Sequence, residues 1–103
     1  MSKKVLAATE EQIAKFLKEH KDWSLSSNKI YRKLKFKDFK NCLSFMNQVV
    51  VFAEEKQHHP EWFNVYNNLE IWLQTHDSEQ VGGGLTQKDF ELATHIDLLF
   101  NSI

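Results

Sequence analysis

Three histidines within the stretch EEKQHHPEWFNVYNNLEIWLQTH, residues 54–76, are the side chains of this sequence best suited to chemistry near neutral pH. His58 and His59 are adjacent, Pro60 follows them, and His76 ends a segment with the alternation of a strand. Imidazole has an ordinary pKa close to neutrality, so it can donate or accept a proton there. The spacing indicates proton transfer or metal binding, with structural, hydrogen-bonded histidines as the third interpretation.

Metal binding is the least favoured of these interpretations. Successive residues of an extended chain point in opposite directions, so His58 and His59 cannot easily reach one ion. No cysteine or close pair of histidine and aspartate completes a zinc ligand set. General acid/base catalysis needs less convergence, and Trp62 or Phe63 would provide an aromatic wall for a flat polar heterocycle. We therefore predict neither a metal nor another cofactor.

Two helices near the ends of the chain have clear start signals. Thr9 and Gln12 have the capping-box spacing, and the apolar residues that follow recur at helical intervals to about His20. Thr86 and Asp89 have the same spacing before a third helix. Its predicted buried stripe consists of Phe90, Ala93, Ile96, Leu99 and Phe100.

A second helix is predicted to begin at Asp38 and to end before Pro60. Because proline also disfavours helical geometry at the preceding residue, the histidine pair should lie at a junction between helix and strand. Cys42 falls within this helix and is expected to be a small buried residue rather than a nucleophile. The apolar stripe expected in the core consists of Phe39, Leu43, Met46, Val49, Val50 and Ala53.

Strands are predicted before and after the second helix. Residues 23–25 should pair with residues 30–36 across the polar turn SLSSNK. In residues 65–76, Val65, Leu69, Ile71 and Leu73 alternate with polar or aromatic side chains and should face the helices. Asn67 and Asn68 could instead form a turn that divides this run into two strands. The stretch DSEQVGGGL is predicted to be a flexible loop.

Length and composition favour one domain, residues 1–103, with an α+β fold of two layers. The net charge of −1 gives no overall reason to expect nucleic acid or an anionic membrane as a partner. A basic segment at residues 29–40 is interpreted as a solvated strand face and turn, with an anion-binding surface as the alternative. A single cysteine and no apolar run of about 20 residues favour the cytoplasm.

The stretches EEKQHHPEWFNVYN, THD, GLTQKDFELA and FKDFKNCLSFMNQV together resemble the pterin-4a-carbinolamine dehydratases, a family also called the dimerisation cofactor of a homeodomain transcription factor. The resemblance covers residues 8–100, and Trp23 occupies the place of a tryptophan usual after the first helix. The family pattern runs from an acid through a His-His-Pro element to an aromatic residue, a histidine and an aspartate. It is filled in order by Glu54, His58, His59, Pro60, Tyr66, His76 and Asp89.

The resemblance implies a four-stranded antiparallel sheet with three helices on one face. It also implies homodimers that join sheets edge to edge, and often homotetramers. In this fold the run through Asn67 and Asn68 is expected to be essentially one strand or a bent pair. The implied reaction dehydrates 4a-hydroxytetrahydrobiopterin to quinonoid dihydrobiopterin, which recycles the pterin used by aromatic amino acid hydroxylases.

The resemblance also implies the site residues. His58, His59 and His76 would contact the pterin, one as acid and another as base, with the assignment between them left open. Asp89 would act in catalysis or as a helix cap. The residues expected to bind substrate are Glu54, Gln57, Trp62, Gln74 and Thr75. Two departures from the family stand out: Gln57 replaces an acid found in many relatives, and the loop at residues 77–88 is longer than in the mammalian form.

Two other functions compete with the enzyme. A binding module is implied because mammalian relatives also bind a homeodomain protein, although the catalytic motif says nothing about such a partner. The nucleus is accordingly the alternative to the predicted cytoplasmic location. Exposed apolar positions on the second helix would then contact a foreign helix instead of another copy. Single-stranded nucleic-acid binding on an aromatic sheet face is the least favoured, and it would be strongly salt-dependent. Neither nucleic acid nor membrane is a predicted partner.

Overall fold

The computed structural model describes residues 5–78 and 84–103. It contains helices α1 (Glu10–Glu19), α2 (Phe39–Lys56) and α3 (Gln87–Asn101), and strands β1 (Ser24–Ser26), β2 (Lys29–Lys35), β3 (Glu61–Val65) and β4 (Asn68–Leu73). The strands form one antiparallel sheet in the order β1-β2-β4-β3. The predicted α+β fold with a four-stranded antiparallel sheet is confirmed. Within the described ranges, no helix is long and apolar enough to cross a membrane.

The predicted helix starts are confirmed by their capping geometry. The side chain of Thr9 accepts a hydrogen bond from the backbone N–H of Gln12, whose side chain accepts from the N–H of Thr9. Asp38 caps α2 through the N–H of Asn41. A second capping box, between Thr86 and Asp89, begins α3. Each helix therefore begins where a side-chain oxygen can satisfy free N–H groups.

The core lies between the three helices and one face of the sheet. Ile30, Leu34, Leu69, Ile71 and Leu73 are fully or almost fully buried on this inner face, and the residues that alternate with them are more exposed. Helix residues that join the same core cluster include Phe16, Phe45, Val49, Phe90 and Ile96. This alternation confirms that Leu69, Ile71 and Leu73 face the helices, as predicted.

The predicted buried stripe of α2 is confirmed for Val49 and Ala53, which are buried, and for Met46, which packs against the core, but it is wrong for the other three residues. Phe39, Leu43 and Val50 are 44%, 38% and 43% exposed. The residues that α2 buries are Cys42, Phe45, Val49 and Ala53. Apolar residues cover two neighbouring faces of this helix, and a helical period gives their spacing without deciding which face meets the sheet. The prediction that Cys42 is buried is confirmed, and burial raises the pKa of its thiol.

The prediction of one strand or a bent pair across Asn67 and Asn68 is wrong. Residues 66–67 form a two-residue turn between β3 and β4, in which Val65 pairs with Asn68. Tyr66 has a φ of 53°, in the left-handed region, as tight hairpin turns require. Because the turn shifts the alternation by one residue, Val65 lies on the outer face and is 55% exposed, not directed toward the helices.

Arg32 departs from both interpretations of the basic segment because it lies on the buried face of β2. Its guanidinium forms an ion pair with Asp97 of α3, which also accepts a hydrogen bond of 2.9 Å from Nε1 of Trp23. His20 contacts the other carboxylate oxygen of Asp97 at 3.3 Å. The carboxylate therefore joins α3, β2 and the end of α1 at one point in the core.

We expect Asp97→Ala to reduce the free energy of unfolding by about 3 kcal/mol, because the buried Arg32 guanidinium loses its carboxylate. Asp22→Ala is the matched control, since Asp22 is exposed and lies 3.5 Å from the same guanidinium. It should cost less than about 1 kcal/mol. Urea denaturation measures both values. Equal losses of unfolding free energy in the two variants would show that the ion pair with Asp97 stabilises the protein no more than the contact with Asp22.

Candidate active site

The end of α2 determines where the adjacent histidines point. Gln57 adopts left-handed geometry with a φ of 51°, and its N–H bonds to the carbonyl oxygens of Ala53 and Glu54. The N–H of His58 also bonds to the carbonyl of Ala53, at 3.0 Å. These bonds form a Schellman motif, which ends the helix and turns the chain sharply. The predicted junction of helix and strand therefore separates the two rings, and His58 is buried while His59 is exposed.

His58 contacts Asp89 at the first turn of α3. Nε2 of His58 lies 2.7 Å from Oδ1 of Asp89, whose side chain is completely buried. A carboxylate can only accept hydrogen bonds, so Nε2 of His58 carries the proton in this contact. In the neutral ring, Nδ1 is then the unprotonated nitrogen. The sequence predicted both residues for the site, and the tertiary structure places them in direct contact.

Two buried threonines hold the carboxylate of Asp89. Its Oδ2 accepts 2.8 Å and 2.9 Å hydrogen bonds from the hydroxyl of Thr75 and the N–H of Thr86. The two threonine hydroxyls are themselves 2.7 Å apart. Asp89 therefore caps α3, as one of the two predicted roles required, and also holds the ring of His58. Thr75 is completely buried, and its hydroxyl supports Asp89 rather than bordering an open site.

His59 has a separate carboxylate partner on the surface. Its Nε2 lies 2.5 Å from Oε2 of Glu54, and both side chains are more than half exposed. The neighbouring Gln57 directs its side-chain amide to the backbone carbonyl of Glu54, at 2.7 Å. Gln57 thus belongs to the helix end in this structure, and the predicted residues Glu54, Gln57 and His59 form one exposed group.

His76 lies beyond β4 on the outer side of the sheet, where Glu61 of β3 is near it. Nε2 of His76 is 3.9 Å from Oε2 of Glu61, which also accepts a hydrogen bond of 3.1 Å from the Gln74 amide. Oε1 of Glu61 accepts a 2.7 Å bond from Nζ of Lys29. This bond is the main reason that the pKa of Glu61 is lowered below its usual range.

The predicted residues do not line one common cavity. His58 borders a cavity of about 120 Å³ between α2 and α3, together with Lys56 and Lys88. Neither this cavity nor the open groove of about 640 Å³ along the helices is lined by His59 or His76. Trp62 packs its half-buried ring against the core from the edge strand β3. Among the described residues, no group of three or more His, Cys, Asp or Glu is arranged to hold a metal ion.

Comparison with known proteins identifies the family. The sequence profile of pterin 4 alpha carbinolamine dehydratase matches residues 7–99. The chain belongs to this family. That membership confirms the resemblance noted in the sequence and the prediction of a dehydratase enzyme.

Individual relatives support the same assignment. A protein named "Putative pterin-4-alpha-carbinolamine dehydratase" from Solibacter usitatus is 45% identical over 91 residues, covering 88% of this chain and 92% of that protein. A protein of the same name from Burkholderia cenocepacia is 52% identical over 68 residues, covering 66% of this chain and 63% of the relative. A crystal structure titled transcriptional coactivator/pterin dehydratase, from Brucella melitensis, superposes with a TM-score of 0.82 at 33% identity, covering 91% of this chain and 98% of that chain.

Glu61 is the residue that sequence reasoning did not select. It directly follows the His-His-Pro element of the family pattern, but its side chain meets His76 only because β3 and β4 form a tight hairpin. In that hairpin Glu61 pairs with Trp72, which places the glutamate close to Gln74 and His76 on the same outer face. Treating residues 65–76 as one strand or a bent pair concealed this contact.

We expect Thr75→Val to reduce the free energy of unfolding by about 1–3 kcal/mol, since buried Asp89 and Thr86 would each lose a hydrogen-bond partner. Thr94→Val is the matched control, because the Thr94 hydroxyl bonds a backbone carbonyl on an exposed part of α3. It should change stability by less than about 0.5 kcal/mol. Thermal and urea unfolding measure the difference, and equal effects would exclude a special role for Thr75.

Proposed function

We propose that this chain dehydrates 4a-hydroxytetrahydrobiopterin to quinonoid dihydrobiopterin by histidine acid/base catalysis. In this reaction the bond between C4a and the hydroxyl oxygen breaks, and its electron pair leaves with the oxygen. One proton goes to that oxygen to form water, and a ring nitrogen loses another proton as the quinonoid system forms. No electron acceptor is needed, because proton transfer and loss of water balance the reaction.

His58 is suited to accept the proton. Its Nε2–H donates to Asp89, which leaves Nδ1 as the basic nitrogen of the neutral ring. The buried carboxylate holds the ring in this tautomer and stabilises the positive charge that would form when Nδ1 accepts a proton. The same arrangement of imidazole and carboxylate operates in catalytic triads. Asp89 is then a positioning residue, because it acts through His58.

One of the two exposed imidazoles, His59 or His76, would protonate the departing hydroxyl, and the other would position the pterin. Each lies near a carboxylate, Glu54 or Glu61, which can accept a hydrogen bond from the imidazole. Trp62 and Gln74 would border the ring between these groups, as the family pattern implies. Membership of the family supports the reaction class. The His58–Asp89 contact is the observation that carries the assignment of acid/base roles.

The substrate and the use of the product follow from the same proposal. A tetrahydrobiopterin that has served an aromatic amino acid hydroxylase leaves that enzyme as the 4a-hydroxy compound. Its dehydration returns the pterin to a form that can be reduced again, so the chain would work in the recycling of tetrahydrobiopterin. The proposed small-molecule partner is therefore a pterin.

Stopped-flow absorbance of freshly generated 4a-hydroxytetrahydropterin tests the reaction directly. The wild type should accelerate its disappearance over buffer, and His59→Ala and His76→Ala should each lower kcat about 10²-fold. His95→Ala is the matched control, since His95 stacks on Phe52 at 4.0 Å in the groove between the helices and has no assigned role in the reaction. It should retain wild-type activity.

Circular dichroism of every variant separates lost chemistry from lost folding. No acceleration by a folded wild type would reject the dehydratase function for this chain. Acceleration that survives both histidine substitutions would leave the reaction in place but reject the proposed roles of His59 and His76.

We also propose that the chain forms homo-oligomers through α2. An outward stripe on α2 consists of Phe39, Leu43, half-buried Met46 and Val50. Their successive spacings are four, three and four residues. This spacing suits packing against a similar helix. The edge strand β3, with Phe63 and Val65 exposed, offers a second surface on which two sheets could join into a dimer. A helix of a transcription factor is the alternative occupant of the α2 stripe, in keeping with the coactivator title of the Brucella structure.

We expect Val50→Lys to reduce the mass of the oligomer in sedimentation velocity, because a charge would be buried in the α2 contact. Leu98→Lys, a change of the same chemistry on an exposed position of α3, should leave the mass unchanged. A wild type that sediments as a monomer, or a Val50→Lys variant of unchanged mass, would reject self-association through this stripe.

A further inference from the structure

Each of the three histidines proposed for the reaction lies near one carboxylate. His58 contacts Asp89 and His59 contacts Glu54, and the family pattern contains both of those acids. His76 is the most exposed of the three imidazoles, and its carboxylate neighbour, Glu61, lies outside that pattern. Nothing in the pattern assigns a function to Glu61.

Glu61 is held in a fixed position by the sheet. Its two oxygens accept hydrogen bonds from different neighbours, Lys29 on β2 and Gln74 just beyond β4. Because β4 lies between β2 and β3, these bonds span three strands on the outer face. The carboxylate therefore has little freedom, even though its side chain is 40% exposed.

Three charged groups surround the contact between His76 and Glu61. Glu61 lies 3.9 Å from the imidazole, Lys29 bonds the far oxygen of that carboxylate, and the exposed Asp77 directly follows His76 in the chain. Lys29 is directed to Oε1 of Glu61, whereas Oε2 faces His76. The positive charge of Lys29 keeps Glu61 ionised, and the oxygen nearer the imidazole stays available to it.

We infer that Glu61 is the positioning residue of His76: it orients the imidazole at the end of β4 and stabilises its protonated form during dehydration. This inference rests on the proposed function, which places His76 in the reaction. Glu61 acts through His76 and need not touch the pterin. Lys29 and Gln74 hold the carboxylate in place.

The pH dependence of kcat in Glu61→Gln provides the first test. In this variant the cationic form of His76 loses a neighbouring negative charge, so the limb of the pH profile that His76 controls should move toward acid. We expect kcat near neutral pH to fall about 5-fold to 30-fold while KM changes less than about threefold, since Glu61 does not bind the substrate itself. Glu61→Asp keeps the charge and should keep the wild-type position of that limb.

Glu70→Gln is the matched control. Glu70 lies on the same face of the sheet and accepts a 2.7 Å hydrogen bond from the hydroxyl of Tyr31. Glu70→Gln changes the net charge by the same amount as Glu61→Gln. It should leave the profile unchanged. A Glu61→Gln variant that matches Glu70→Gln in kcat and in pH profile, while His76→Ala is inactive, would overturn the inference and leave the proposed function intact.

Carbon-13 NMR of the Glu61 carboxyl provides a second test that needs no substrate. The hydrogen bonds from Lys29 and Gln74 and the charge of Lys29 lower the pKa of Glu61 most, and His76 adds a smaller effect in the same direction. The pKa of this carboxyl should therefore rise in His76→Ala. An unchanged titration would show that the two groups do not interact and would overturn the inference. If the titration changes but His76→Ala is fully active, the proposed role of His76 fails, and with it the role of Glu61 in dehydration.

Discussion

The buried carboxylate of Asp89 is the interaction on which the site depends. A completely buried carboxylate is costly unless hydrogen bonds replace its water, and Asp89 has donors from three directions: the ring of His58, the hydroxyl of Thr75 and the backbone of Thr86. These donors come from the end of α2, the end of β4 and the start of α3. One side chain therefore ties together the three segments that carry the proposed chemistry.

The adjacent histidines differ because the chain turns between them. The left-handed geometry of Gln57 closes α2 with a Schellman motif, after which one ring enters the interior and the next faces solvent. His58 is held by a buried acid, whereas His59 and His76 lie near exposed ones. Three side chains of the same type thus have three environments. Different environments allow acid and base roles to be divided among identical groups.

The sheet contributes through the order of its strands. Placing β4 between β2 and β3 lets side chains of all three strands meet on the outer face, where Lys29, Gln74 and Glu61 form one hydrogen-bonded group beside His76. On the inner face, Arg32 of β2 reaches Asp97 of α3 and ties the sheet to the helices at a distance from the proposed site. The ion pairs on the two faces differ in burial: Arg32 on the inner face is buried, whereas the side chain of Glu61 on the outer face is 40% exposed.

The sequence by itself determined the helix starts at Thr9, Asp38 and Thr86, the inward side chains of β4, and the family with its histidine pattern. Each of these is a local signal, carried by a cap, an alternation or a short motif. Only the tertiary structure decided that α2 packs through Cys42 and Phe45 rather than Phe39 and Leu43, since two of its faces are apolar and the period suits both. It also decided that Arg32 is buried and that Glu61 meets His76. Those contacts join residues that are distant in sequence, through a register set by the turn at Tyr66 and Asn67 and through packing that a local pattern does not contain.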